Sequence, residues 1–157
     1  MTKNKYYADA IIFIGGQATG KSSFYKEKFY NSHLRINLDM IKTRNRETKL
    51  IDICIETQQH FVIDNTNPTK IDREKYINKI PKSKFKIIAY YFESKIEDMK
   101  LRNNQREGKY NIPLPGLLSV YNKLELPSIS EGFDEIFFVK IDENNEFIVE
   151  EWKSEVK

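Results

Sequence analysis

The sequence predicts a three-layer α/β fold: a central parallel sheet, helices on both faces and a helical lid. Three observations carry that expectation. Short apolar runs recur along the chain with helical patterns between them. The first run, residues 10–14, leads directly into Gly15-Gly16-Gln17-Ala18-Thr19-Gly20-Lys21-Ser22 and then into an amphipathic helical pattern over 23–30. Polar residues fit for chemistry follow the later runs, and open α/β sheets collect ligands at the carboxyl ends of their strands.

Residues 10–14 (Ala-Ile-Ile-Phe-Ile) are apolar throughout, as a strand buried on both faces requires. The eight residues that follow read Gly, four residues, Gly-Lys-Ser, a complete phosphate-binding loop. Its glycines let successive N–H groups turn inward onto phosphate oxygens. Lys21 brings a mobile positive charge to the β- and γ-phosphates, the Ser22 hydroxyl suits Mg²⁺, and the next helix, entered through Ser23, adds its free N–H groups. Strand, loop and helix in this order predict a P-loop NTPase of the adenylate-kinase-like kind, with ATP and Mg²⁺ as cofactors.

Further strands are expected at residues 34–38, 61–64, 85–92 and 135–140. Asn67-Pro68 followed by Thr69 and Asp72 has the spacing of a capping box, so a helix should start there. Ser94 and Glu97 repeat the box before the next helical pattern. Residues 137–142, a polar turn and residues 147–149 predict a terminal hairpin.

Composition sets the outer limits. With 157 residues, 39% hydrophobic and 31% charged, the chain reads as one globular domain over 1–157. No run approaches a membrane span, and residues 1–7 read as a short polar start without a targeting pattern. The lone Cys54 allows no internal disulfide, fits a buried helical position and suits a reducing cytoplasm. Monomer is the default expectation. Charge is uneven: residues 70–109 hold 12 basic and 6 acidic side chains, residues 125–157 hold 3 and 10. A basic middle suits a polyanion, although solvated helix faces give the same pattern.

Asp39 follows the second strand, where a carboxylate can orient an attacking hydroxyl and accept its proton; a helix N-cap is the competing reading. Asp64 ends the third strand and is placed to serve Mg²⁺ opposite Ser22. Arg102 and Arg106 are four apart in a helical pattern, which predicts one shared face. With the aperiodic residues 107–111 they suggest a lid over about 102–112 that closes on ATP. Lys42, Arg44, Arg46 and Lys49 follow Asp39 closely enough to meet acceptor phosphates, or to be a solvated helix end. His33 and His60 have no ligand-like spacing, and Trp152 is expected to dock onto the domain.

From residue 8 to residue 141 the chain resembles the kinase domain of the animal and fungal polynucleotide 5′-kinase/3′-phosphatase. The resemblance rests on the phosphate loop, on Ile36-Asn37-Leu38-Asp39, and on Val62-Ile63-Asp64-Asn65-Thr66-Asn67-Pro68. It also rests on Asn103-Asn104-Gln105-Arg106-Glu107, Ile112-Pro113, Leu124-Glu125-Leu126-Pro127 and Glu131-Gly132-Phe133. It implies that Asp39 is the base for a 5′-hydroxyl, that Arg106 and Arg102 contact ATP phosphates, and that Asp64, Asn65 and Asn67 shape the acceptor and metal site. The implied substrate is a 5′-hydroxyl DNA or RNA end, with a separate phosphatase or ligase as a possible co-worker. Leu38 stands where the family commonly has arginine, and no Asp-x-Asp-x-Thr/Val phosphatase signature occurs in the 157 residues, so phosphatase activity is not expected. Two other readings stay open at this point: a kinase for a small metabolite such as a sugar, nucleoside or antibiotic, and an ATP-binding module without phosphoryl transfer.

Overall fold

The structure, a computed structural model, describes residues 6–153. The polar start read at 1–7 therefore lies, in its first five residues, outside the described residues. Among the described residues one sheet holds β1 (Ala8–Ile14), β2 (Leu34–Ile36), β3 (Phe61–Ile63), β4 (Phe85–Phe92), β5 (Glu135–Ile141) and β6 (Phe147–Glu151), in the order β2-β3-β1-β4-β5-β6. The first five are parallel, and β6 returns antiparallel along β5 as the predicted hairpin. The helices are α1 (Lys21–Lys28), α2 (Leu38–Ile41), α3 (Arg44–Thr57), α4 (Lys70–Lys79), α5 (Ile96–Asn104) and α6 (Leu114–Lys123).

Alternation along β1 builds both cores at once. Ala10, Ile12 and Ile14 face a cluster completed by Ile51 and Cys54 of α3 and Tyr76 and Ile77 of α4. Ile11 and Phe13 face the opposite cluster, with Phe24 and Tyr25 of α1 and Phe29. Both faces of β1 are dry, which is why its sequence reads as an unbroken apolar run. Cys54 is fully buried, and burial pushes its thiol up to about 11, so it packs and does not react. Trp152 docks on Tyr91, with ring centroids 5.3 Å apart.

Several boundaries differ from the sequence expectation. β2 stops at Ile36 because the Asn37 side chain caps α2, accepting from the Met40 N–H, so Leu38 and Asp39 belong to a one-turn helix. The box at Thr69 and Asp72 forms as read. The one at Ser94 does not: α5 has no side-chain cap, and Ser94 Oγ instead accepts from the Gly16 N–H at 3.0 Å and donates to the Phe92 carbonyl. α6 is not separable in sequence, since Pro115-Gly116 looks like a break; proline is tolerated in a first helical turn.

Candidate active site

The phosphate loop joins β1 to α1 and is shaped by close packing. Ala18 and Gly20 adopt left-handed backbone angles, φ 61° and 94°, and so turn the chain back toward the helix start. A Cβ on Gly20 would also sit 2.9 Å from the Phe147 ring of β6. α1 has neither a side-chain cap nor an acidic residue in its first turn, so its leading N–H groups remain for an anion.

Lys21 folds over the loop and donates to the carbonyls of Gly15 and Gly16. Desolvation pushes its ammonium down to about 8, against the pull of Asp64 and Asp39 and with the repulsion of Arg106. Three groups read separately from the sequence therefore act electrostatically on one lysine. The sign of the pH effect follows. A bound anion favours the charged ammonium, so phosphate binding should raise this pKa and take up a proton. ATP affinity is expected to fall as pH climbs above about 8, with proton uptake seen calorimetrically in buffers of different ionisation enthalpy. An affinity that stays flat well above that pH would contradict it.

Ser22 and Asp64, read from the sequence as a metal pair, come together. Asp64 is 2% exposed at the end of β3, and the Ser22 hydroxyl donates to its Oδ2 at 3.2 Å. Arg35 of β2 binds both: Nε donates to Asp64 Oδ2 at 2.8 Å and Nη2 to Ser22 Oγ at 2.9 Å. Carboxylate and hydroxyl oxygens are the hard donors that Mg²⁺ takes, and the Arg35 guanidinium occupies both here, so a metal ion would have to displace it. Arg35 escapes the sequence reading, where it is one basic residue inside a strand.

The acceptor candidates divide. Asp39 is exposed in the first turn of α2, and Lys42, Arg46 and Lys49 are exposed nearby in sequence. Arg44 has a side chain 61% exposed but commits Nη1 to Glu47 and to the Tyr76 hydroxyl. Asn65 and Asn67 spend their side chains inside the protein. Asn65 accepts from the Leu38 N–H and donates to Glu47, while Asn67 donates to the Phe13 carbonyl.

Arg102 and Arg106 do not share one helix face, because α5 ends at Asn104 and Arg106 lies beyond its C-cap. The lid region is a hydrogen-bonded connection. Buried Asn103 donates to the Ile112 carbonyl at 2.7 Å and accepts from its N–H at 2.9 Å, closing residues 103–112 around a 3₁₀ turn (Gly108–Tyr110). Arg106 lies in that turn with Nη1 donating to the Tyr110 carbonyl at 3.4 Å, and its charge acts on Lys21.

His33 and His60, far apart in sequence, meet at Asp9 on the opposite, amino-terminal ends of the strands. His33 Nε2 lies 3.0 Å from Asp9 Oδ2, and this hydrogen bond, more than any other effect, holds the Asp9 carboxyl below the usual carboxylate range. The three have metal-ligand chemistry, but His60 Nδ1 already accepts the Asp9 N–H at 2.8 Å. The contacts describe a polar clasp joining β1 to the segments that enter β2 and β3.

The sequence matches two curated proteins. "Bifunctional polynucleotide phosphatase/kinase" of Schizosaccharomyces pombe is 24% identical over 147 residues, covering 85% of this chain and 34% of that protein. "Putative bifunctional polynucleotide phosphatase/kinase" of Acanthamoeba polyphaga mimivirus is 30% identical over 135 residues, 82% of this chain and 32% of that protein. The chain thus spans about a third of the length of the curated relatives it matches. No protein-family model matches. Among solved structures, a sugar kinase from Janibacter sp. HTCC2649 superposes with TM-score 0.66 at 13% identity, covering 84% of this chain and 85% of that one. A fungal RNA kinase superposes with TM-score 0.63 at 16% identity, covering 90% and 79%. The chain has the fold of P-loop kinases, and its sequence is similar to that of proteins named bifunctional polynucleotide phosphatase/kinase.

Proposed function

We propose that this chain is an ATP-dependent kinase that transfers the γ-phosphate to the 5′-hydroxyl end of DNA or RNA. The observation that carries the reading is the complete phosphate loop with its Ser22 hydroxyl bonded to Asp64 and its Lys21 within electrostatic reach of Asp39 and Arg106. The names of its two curated relatives supply the acceptor class.

The loop N–H groups and Lys21 would hold the β- and γ-phosphates. Ser22, with Asp64, would hold Mg²⁺, whose charge when bound offsets that of the phosphates. Asp39 would accept a hydrogen bond from the acceptor hydroxyl, orient it in line with the γ-phosphate and take its proton. Arg106 would neutralise charge on the phosphoryl group in flight. Lys42, Arg46 and Lys49 would meet acceptor phosphates, which favours a polymer over a lone alcohol.

Label transfer from γ-labelled ATP tests this, with 5′-hydroxyl DNA, 5′-hydroxyl RNA and a metabolite pool offered in parallel and Lys21→Ala as control. Label in an oligonucleotide, lost in the control, supports the reading; label only in the pool refutes the acceptor. Salt gives an independent check. If about three phosphates are contacted, single-strand affinity should fall roughly twentyfold between about 50 and 200 mM salt. A salt-independent affinity for the acceptor would point to an uncharged alcohol.

A further inference from the structure

The end of β2 is tied to the end of β3 by two side-chain amides. Asn37 Nδ2 donates to the Asp64 carbonyl at 2.6 Å. Asn65 Oδ1 accepts from the Leu38 N–H, the first of α2, at 3.0 Å, and its Nδ2 donates to Glu47 Oε2 at 3.1 Å. Glu47 lies on α3 with only 3% of its surface exposed. It also accepts from Arg44 Nη1 at 2.9 Å and from the Tyr76 hydroxyl at 3.0 Å. Burial and the Glu47 charge push the Tyr76 phenol above its ordinary range, so it stays a donor.

A carboxylate only accepts hydrogen bonds. Glu47 therefore decides which end of the Asn65 amide faces it: the NH₂ must, and the oxygen is left for Leu38. The next residue is Asp39.

We propose that Glu47 is a positioning residue for the acceptor site. Its buried carboxylate fixes the Asn65 amide, Asn65 holds the first turn of α2, and that turn aims the Asp39 carboxylate. Glu47 acts through Asn65 and touches no reacting atom. The inference rests on the reading of Asp39 as the base, and it adds a residue that its position in the α3 sequence does not single out.

The chemistry supplies its own rescue. In Glu47→Gln an NH₂ meets either the Asn65 NH₂ or the Arg44 and Tyr76 donors, and at least one bond is lost whichever way the amide turns. In Asn65→Asp two carboxylates face each other. In the double variant the new amide on α3 donates to the new carboxylate after β3, and that carboxylate still accepts from the Leu38 N–H.

Two readouts are taken on wild type, both single variants and the double: amide hydrogen exchange at Leu38, and phosphoryl transfer alongside ATP affinity. Each single variant is expected to speed Leu38 exchange about tenfold or more and to lower kcat about ten- to a hundredfold, with ATP affinity within about twofold. The double should return both within about threefold of wild type. A double no better than the single variants overturns the inference, as does ATP affinity falling in step with kcat. Should Glu47→Gln not fold, Asn65→Asp against the double makes the same comparison. A wild-type protein that phosphorylates no 5′-hydroxyl end defeats the proposed function, while Leu38 exchange still decides what Glu47 does.

Discussion

Asp39→Asn is expected to lower phosphoryl transfer by about 10²- to 10⁴-fold while ATP affinity stays within about twofold. Asparagine keeps the size and one acceptor oxygen of aspartate but cannot take a proton. The substitution is also clean structurally. The cap of α2 belongs to Asn37, so the helix keeps its start. What disappears is one exposed negative charge that acts on Lys21 only weakly, a small electrostatic change that should leave ATP affinity unchanged or slightly raised. Single-turnover transfer and equilibrium ATP binding, measured on the same preparation, separate the two effects. Parallel losses would remove Asp39 from the chemistry and make it a binding residue.

Arg73→Met is expected to cost about 3–5 kcal/mol of stability, the penalty for breaking a buried ion pair from one side. Arg73 is fully buried on α4. Its Nε and Nη2 donate to the two Glu131 oxygens at 2.9 and 3.1 Å, and Nη1 donates to the carbonyls of Asn67, Pro68 and Glu125. Methionine fills the stem but removes all five of these hydrogen bonds, leaving Glu131 with the Ser128 N–H and the Pro68 carbonyl with the Glu125 N–H. For a domain of this size the melting temperature should drop by roughly 10 °C or more. Circular dichroism melts read it directly, and a shift under about 3 °C would mean that water reaches the orphaned groups. Adding Glu131→Leu should recover part of the loss, because the stranded charge is then gone.

The contrast between these residues explains what the sequence could and could not tell. β1, the phosphate loop and α1 are legible because every requirement is local: an apolar run, glycines at set spacing, a helical pattern. The Thr69 and Asp72 box and the hairpin of β5 and β6 are local too. Ser94 carries the same box signal and breaks it, since the Gly16 N–H, 78 positions away, offers its hydroxyl a competing bond. Arg35 reaches Ser22 and Asp64, Arg73 reaches Glu131, and Glu47 reaches Tyr76 and Asn65 only once strands and helices are stacked. Their partners lie 13 to 58 positions away, and no periodicity announces them. Asn65 and Asn67 show the converse: a motif identifies the residues but not the direction in which their amides are used.

Phe147 gives the fold an order in time. The ring closes against Gly20 from behind and packs on Phe24 of α1 at 5.2 Å. A ribosome releases the phosphate loop before its backing wall, which comes from the last strand among the described residues. A nascent chain therefore carries the loop sequence before the ring that backs it, and the loop is walled only after the closing hairpin has been made.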